Sequence, residues 1–215
     1  MSKLRIINSI PVTLPEKEIL SRLRYNIHRT ELDDDVRGRI GSVMNSGFAL
    51  CEPKGSWIVL DITGTGVSSV EFEGGIVIES ESIAKLLARS ESAVFMGVTA
   101  GGAITDRAQD SVKRGDGSSA LIYDAVGSET AEAAIDWLNR YIAVELRRKG
   151  KILTAMRFSA GYGDFMLENQ RIFYELLDLK RFGVSLTESC IFIPEKTVTA
   201  IAGVEIPAGP GVGQS

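Results

Sequence analysis

Apolar residues fall into two patterns along this chain: short unbroken runs, and longer stretches in which they return every three or four positions. The runs at 4–10, 57–63 and 93–99 predict strands. Those at 70–72 and 76–78, separated by Glu73, Gly74 and Gly75, predict a hairpin or two short strands, and 190–193 and 198–204 read as further β segments. Helical spacing appears first at 15–25, where Pro15 and acidic residues precede Ile19, Leu20 and Leu23. It returns at 33–44 (Val36, Ile40, Val43), behind an acidic start at Asp33, Asp34 and Asp35 that suits a helix dipole, and at 82–89 (Ile83, Leu86, Leu87). The longest helical stretch, 118–148, carries the stripe Ala131, Ile135, Leu138 and Ile142, with an interruption expected near Gly127. Arg147, Arg148 and Lys149 complement its C-terminal dipole before Gly150. A last helix is expected over 167–179, with Ile172, Leu176 and Leu179 on one face and Gly183 beyond it.

Strands and helices are thus intermixed, at spacings too irregular for successive βαβ units. The expected class is α+β with a mainly antiparallel or mixed sheet; a doubly wound parallel sheet is the alternative. Nothing in the composition divides the chain, so one domain is expected over 1–206, with a flexible Gly/Pro-rich tail at 207–215.

Composition narrows the function. The 215 residues carry a net charge of −4, which argues against a general nucleic-acid binder. No run approaches the length of a membrane span, and the N-terminal apolar run, broken by Pro11, does not make a signal-peptide core. Cys51 and Cys190 are too few for a disulfide framework, so a cytoplasmic protein is expected. His28 is the only histidine, which leaves no usual zinc site. No nucleophile elbow accompanies it, so most hydrolase mechanisms are excluded.

The chemistry concentrates at 151–165. An apolar run at 151–156 predicts an extended segment that delivers Arg157, whose planar fork of donors suits a carboxylate or phosphate. Gly161 and Gly163 flank Tyr162 and permit a positive φ or the close approach of a ligand. Asp164 is placed to cap a following helix. By itself the stretch reads as a strand-to-helix turn with a salt-bridged arginine. On the long helix, Glu132, Asp136 and Asn139 share a stripe beside the core, from which Glu132 could edge a cleft. Ala100–Ala103 is Gly-rich but matches no phosphate-binding motif, so a tight connection is expected there; Arg114, Gly115 and Asp116 form a turn.

Four ordered segments together resemble the S-adenosylmethionine-binding reactivation domain of cobalamin-dependent methionine synthase, in a free-standing form. Arg157, Gly161, Tyr162 and Gly163 match its motif R-x-x-x-G-Y-[PG]. Gly183, Leu186, Thr187, Glu188 and Ser189, followed by Pro194, Val198 and Thr199, resemble its G-x-x-L-T-E-S segment. The segment from Asp124 to Glu132 resembles the helix carrying a ligand-side glutamate, and Val98 to Gly102 a strand-turn. The likeness covers about 94–204, with residues 1–90 as a looser lead-in.

The resemblance implies a C-shaped α+β domain with a long, twisted, mainly antiparallel sheet flanked by helices. It implies that Arg157 binds the methionyl carboxylate of S-adenosylmethionine, that Ser159 and Gly161 line the ligand through their backbones, that Tyr162 contacts it, and that Glu132 faces its cationic end. It also implies an accessory role: reductive methylation of cob(II)alamin carried by a separate methionine synthase, with a flavodoxin-type electron donor, and no nucleic acid or membrane. The chain would act in trans, since it has no D-x-H-x-x-G corrinoid motif. A non-catalytic module of the same fold, or service to another corrinoid methyltransferase, are the alternatives. Three departures stand out. Gly163 replaces the usual proline, Lys151 falls near where the family has a second acid, and the C-terminal segment that supplies tyrosine contacts has no counterpart.

Overall fold

The computed structural model describes residues 3–25 and 34–207. His28, Asp33 and all but the first residue of the expected tail lie outside them. The central element is an antiparallel sheet in the order β4-β3-β2-β5-β9-β6, with β1 added against β2. Its strands are β1 (Arg5–Ile7), β2 (Lys54–Thr65), β3 (Ser69–Phe72), β4 (Ile76–Glu79), β5 (Ser92–Thr99), β6 (Ile152–Leu153) and β9 (Thr197–Glu205). A separate hairpin pairs β7 (Ser185–Leu186) with β8 (Phe192–Ile193). Six helices accompany these strands among the described residues: α1 (Glu16–Arg22), α2 (Asp34–Phe48), α3 (Glu81–Leu87), α4 (Ala103–Lys113), α5 (Gly117–Arg147) and α6 (Gln170–Leu176).

Both faces of the sheet are covered, which explains why β5 reads as an unbroken apolar run: every one of its residues is buried. Val94, Met96, Ala200, Ala202 and Val204 point to one face, where they pack on Ala134, Ile135, Leu138 and Ile142 of α5. Phe95 and Ile201 point to the other, against Ile83 and Leu87 of α3 and Phe173 of α6. Each fully buried Val, Ile, Leu, Phe or Met side chain among them contributes on the order of 1.5–3 kcal/mol. β2 pairs β5 through Asp61 and β3 from Ile62 onward, with an irregularity at Ile62–Gly64 where it changes partner.

The 31-residue α5 holds the molecule together. Its first half packs through Ile122, Tyr123 and Val126 on Ile19 of α1, Ile40 and Met44 of α2, and Ile104 of α4; its second half lies on the sheet. The helix runs through Gly127 without interruption, contrary to expectation. A Cβ at Gly127 would lie 3.0 Å from Lys196 Cγ and 3.2 Å from Ile104. The glycine serves close packing, and contacts along both halves outweigh its roughly 1 kcal/mol helix penalty.

Other boundaries also shift. The expected strand at 4–10 shrinks to β1, and that at 151–156 to β6. The helix expected over 167–179 is a 3₁₀ turn, Leu167–Asn169, followed by α6, and Asp178 at φ 47° precedes a second 3₁₀ turn at Leu179–Phe182. Asp164 does not cap this helix; it caps α3.

Candidate functional site

Arg157 stands where the sheet edge turns irregular. After β6 pairs with β9 at Leu153–Val204, the next register contact is Phe158–Ile201, so extra residues bulge out between them. Phe158 packs with Ile201 on the α3/α6 face. Arg157, one position earlier, goes to the opposite face and meets α5. Its Nη1 donates to Asp136 Oδ1 at 2.7 Å, and its Nη2 lies 3.7 Å from Glu132 Oε2. The structure therefore brings together Arg157 and Glu132, two residues expected at the site. It adds Asp136, whose i, i+4 relation to Glu132 was visible in the sequence but was not assigned a role.

The three side chains form a partly exposed cluster: Arg157 is 27% exposed, Glu132 49% and Asp136 50%. Partial burial raises the Glu132 pKa above its usual value, and the neighbouring Asp136 and Glu129 push the same way. Arg157 and Arg22 oppose them. With one cation and two carboxylates the cluster carries a net charge of −1.

Glu132 and Asp136 also form one wall of a cleft of about 390 Å³ between α5 and residues 11–15. Glu18, Glu129, Trp137 and Arg140 line it as well. Glu129 is paired with Arg22, and the Trp137 ring stacks on Tyr141 at 5.2 Å between centroids and 10° between planes. The cleft is rich in carboxylates and suits a cationic ligand. The part played by residues 11–15 was not legible in sequence, because they form no periodic element; Ile10, just before them, is held by its amide bond to Pro53 O.

Ser159, Gly161 and Tyr162 follow on the same edge loop. Ser159 is half-buried, and Tyr162 is 70% exposed. Gly161 has φ 97° and Gly163 has φ 61°, conformations that favour glycine at both positions. Gly161 N donates to Phe165 O at 2.7 Å and Phe165 N to Tyr162 O at 3.1 Å, closing a tight turn over the fully buried Phe165. Met156, Tyr162 and Met166 leave an exposed apolar rim around the loop.

The remaining motifs have structural work. Thr187 closes the β7–β8 hairpin, its amide donating to Ile191 O and its hydroxyl accepting from Ile191 N, while Glu188 O accepts from Arg171 of α6. The Thr199 hydroxyl donates to Gln170 Oε1 at 2.6 Å inside the core. Lys196 Nζ reaches Asp124 Oδ1 at 2.5 Å and Ser128 Oγ at 2.9 Å, tying the start of β9 to α5. Lys151 pairs with Glu91. Gly101 N is used locally, donating to Thr99 Oγ1, as fits a tight connection, and Asp116 caps α5. Among the described residues no acidic, histidine or cysteine cluster is arranged for a metal, and no helix is long and apolar enough to cross a membrane.

No family model matches this chain, and no curated protein matches it. Among solved structures it is similar to the MetH reactivation domain, determined bound to AdoHcy. The match covers 98% of this chain and 80% of that one, with a TM-score of 0.65 and 15% identity. A likeness at this identity establishes the fold: a curled antiparallel sheet with flanking helices, as the α+β expectation had it.

Proposed function

We propose that this chain, which shares the fold of a domain solved with AdoHcy, binds S-adenosylmethionine at the Arg157 edge loop. The observation that carries the reading is the cluster of Arg157 with Glu132 and Asp136, beside a carboxylate-lined cleft. S-adenosylmethionine carries a carboxylate, an ammonium and a sulfonium, a net charge of +1. Its carboxylate displaces Asp136 from the Arg157 fork, and the released Asp136, with Glu132, faces the two cationic groups. The exchange keeps every charge paired and neutralises the −1 of the empty cluster. Ser159 and Gly161 present backbone to the ligand, and Tyr162 supplies an exposed ring and hydroxyl at its margin.

In this reading the chain is an accessory to a methyl transfer. A partner's cobalamin would supply the nucleophile that takes the methyl group, with an electron from a flavodoxin-type donor. The chain's own residues bind the methyl donor, orient it and hold its charge. The exposed rim of Met156, Tyr162 and Met166 supports a partner, a separate cobalamin-dependent methionine synthase, covering the open side. Titration calorimetry with S-adenosylmethionine tests the binding half. For the second half, a synthase trapped as cob(II)alamin should return to its methylated form only with this protein, S-adenosylmethionine and reductant together.

One observation favours a second reading, a non-catalytic module of the same fold: Arg157 is already engaged by its own carboxylates. Recovery of the synthase in a pull-down that is independent of S-adenosylmethionine would support it.

A further inference from the structure

The loop that carries Arg157 crosses the sheet edge from the α5 face to the α3 face, and it is held on both. Arg157 ties its beginning to Asp136 of α5. At its end the Asp164 carboxylate meets the first turn of α3: Oδ2 accepts from Glu81 N at 2.5 Å and Ser82 N at 3.2 Å, and Oδ1 accepts from Ser80 Oγ at 3.0 Å. Ser80 Oγ in turn accepts from Ile83 N at 3.1 Å, and Ser80 N donates to Ser68 O at 2.8 Å. The four amides that a helix start leaves without internal partners are therefore all satisfied, two of them by a residue more than eighty positions away. The other end of the contact is fixed, because Ile83, Ala84 and Leu87 of α3 are buried in the core.

We propose that Asp164 is a positioning residue, a latch that docks the 161–164 turn on α3 and so sets where Ser159, Gly161 and Tyr162 stand relative to Glu132 and Asp136. The claim about ligand rests on the function proposed above; the claim about the loop does not. Three features support it independently. The bonds are charge-assisted and converge on one carboxylate. Phe158 and Ala160 are packed in the core, but residues 161–163 beyond them comprise two positive-φ glycines and an exposed tyrosine, so this tip has little packing of its own to hold it. The Asp164 pKa falls to about 2, chiefly through its hydrogen bonds to Ser82, so the latch stays charged at neutral pH.

Hydrogen exchange on the intact protein tests the latch without any ligand. Asp164→Ala should raise exchange at residues 159–164 and at the amides of Glu81 and Ser82 by roughly fivefold, as for a lost helix cap, with the α5 amides unchanged. Asp164→Asn keeps an acceptor oxygen and should restore part of the protection, which a general unfolding of the variant would not. Exchange in Asp164→Ala equal to wild type overturns the latch. In parallel titrations with S-adenosylmethionine, Asp164→Ala should bind several-fold more weakly and Asp164→Asn in between. A loosened loop with unchanged affinity overturns the positioning role. Absence of binding by the wild-type protein overturns the proposed function instead, and the exchange data still decide the latch.

Discussion

The Asp136→Asn substitution removes one negative charge from the cluster around Arg157 while keeping an oxygen that can accept its 2.7 Å hydrogen bond. The cluster passes from net −1 to neutral. As a surface ion pair the lost contact is worth about 0.5 kcal/mol or less in stability, since both partners are partly exposed. Its effect on ligand choice is larger. A unit charge about 4 Å from a ligand cation contributes about 1 kcal/mol in water and about 4 kcal/mol at the effective dielectric of a protein surface. For a group 50% exposed, the lower part of that range applies, about 1–2 kcal/mol. S-adenosylmethionine carries the sulfonium and AdoHcy does not, so the loss falls mainly on the former. The ratio of the two affinities should fall by roughly 5–30-fold in the variant, and raised salt should shrink the wild-type ratio in the same direction. The ratio is the informative quantity, because a freer Arg157 fork helps the carboxylate of both ligands equally. Titration of both proteins with both ligands at two salt concentrations provides it. An unchanged ratio would refute the charge-exchange account, even if both affinities moved.

Two further predictions concern Glu132 and Gly127. Burial raises the Glu132 pKa, so its contribution to stability is full below the ordinary glutamate value and is lost as pH rises through the raised one. Glu132→Gln should therefore leave thermal stability at about pH 7 unchanged or higher. A bound cation lowers that pKa again, so binding releases protons where Glu132 titrates and weakens as pH falls through its raised value; calorimetry in that range, in two buffers of different ionisation enthalpy, reads the release, and its absence contradicts the role given to Glu132. Gly127→Val should destabilise by roughly 1–3 kcal/mol in denaturant melts. Its side chain would enter the space of Ile104 and of Lys196, whose ammonium is pinned by Asp124 and Ser128; a neutral result would mean that α5 can shift away from α4.

Where an element makes its own pattern, the sequence was readable. The β5 run, the stripe on α5 and the turn at Gly74–Gly75 each carry a periodicity or a conformational demand that survives in the fold. Two of the failures share one cause: a partner distant in the chain. Gly127 looked like a helix breaker because the nearness of Ile104 and Lys196 is not a local property. Asp164 looked like the cap of the next helix because nothing nearby announces that α3 lacks acceptors for two of its amides. At the site, Arg157 stood out by its fork of donors in a Gly-rich turn and Glu132 by its place beside the core stripe, and the resemblance implied their ligand roles. Asp136 stood on the same stripe as Glu132 with no role of its own, because its contact with Arg157 is made across the fold, and the cleft wall at 11–15 has no periodic signature.

The central claim is that Arg157 receives the carboxylate of S-adenosylmethionine. Titration calorimetry of the wild-type protein, Arg157→Lys and Arg157→Ala against that ligand tests it most directly. The account predicts saturable binding by the wild type and a loss of roughly tenfold or more in Arg157→Ala, the cost of a charged hydrogen-bonding pair. Arg157→Lys should recover only part, because it keeps the charge without the planar fork. Equal binding by all three proteins, or none by the wild type, would contradict it.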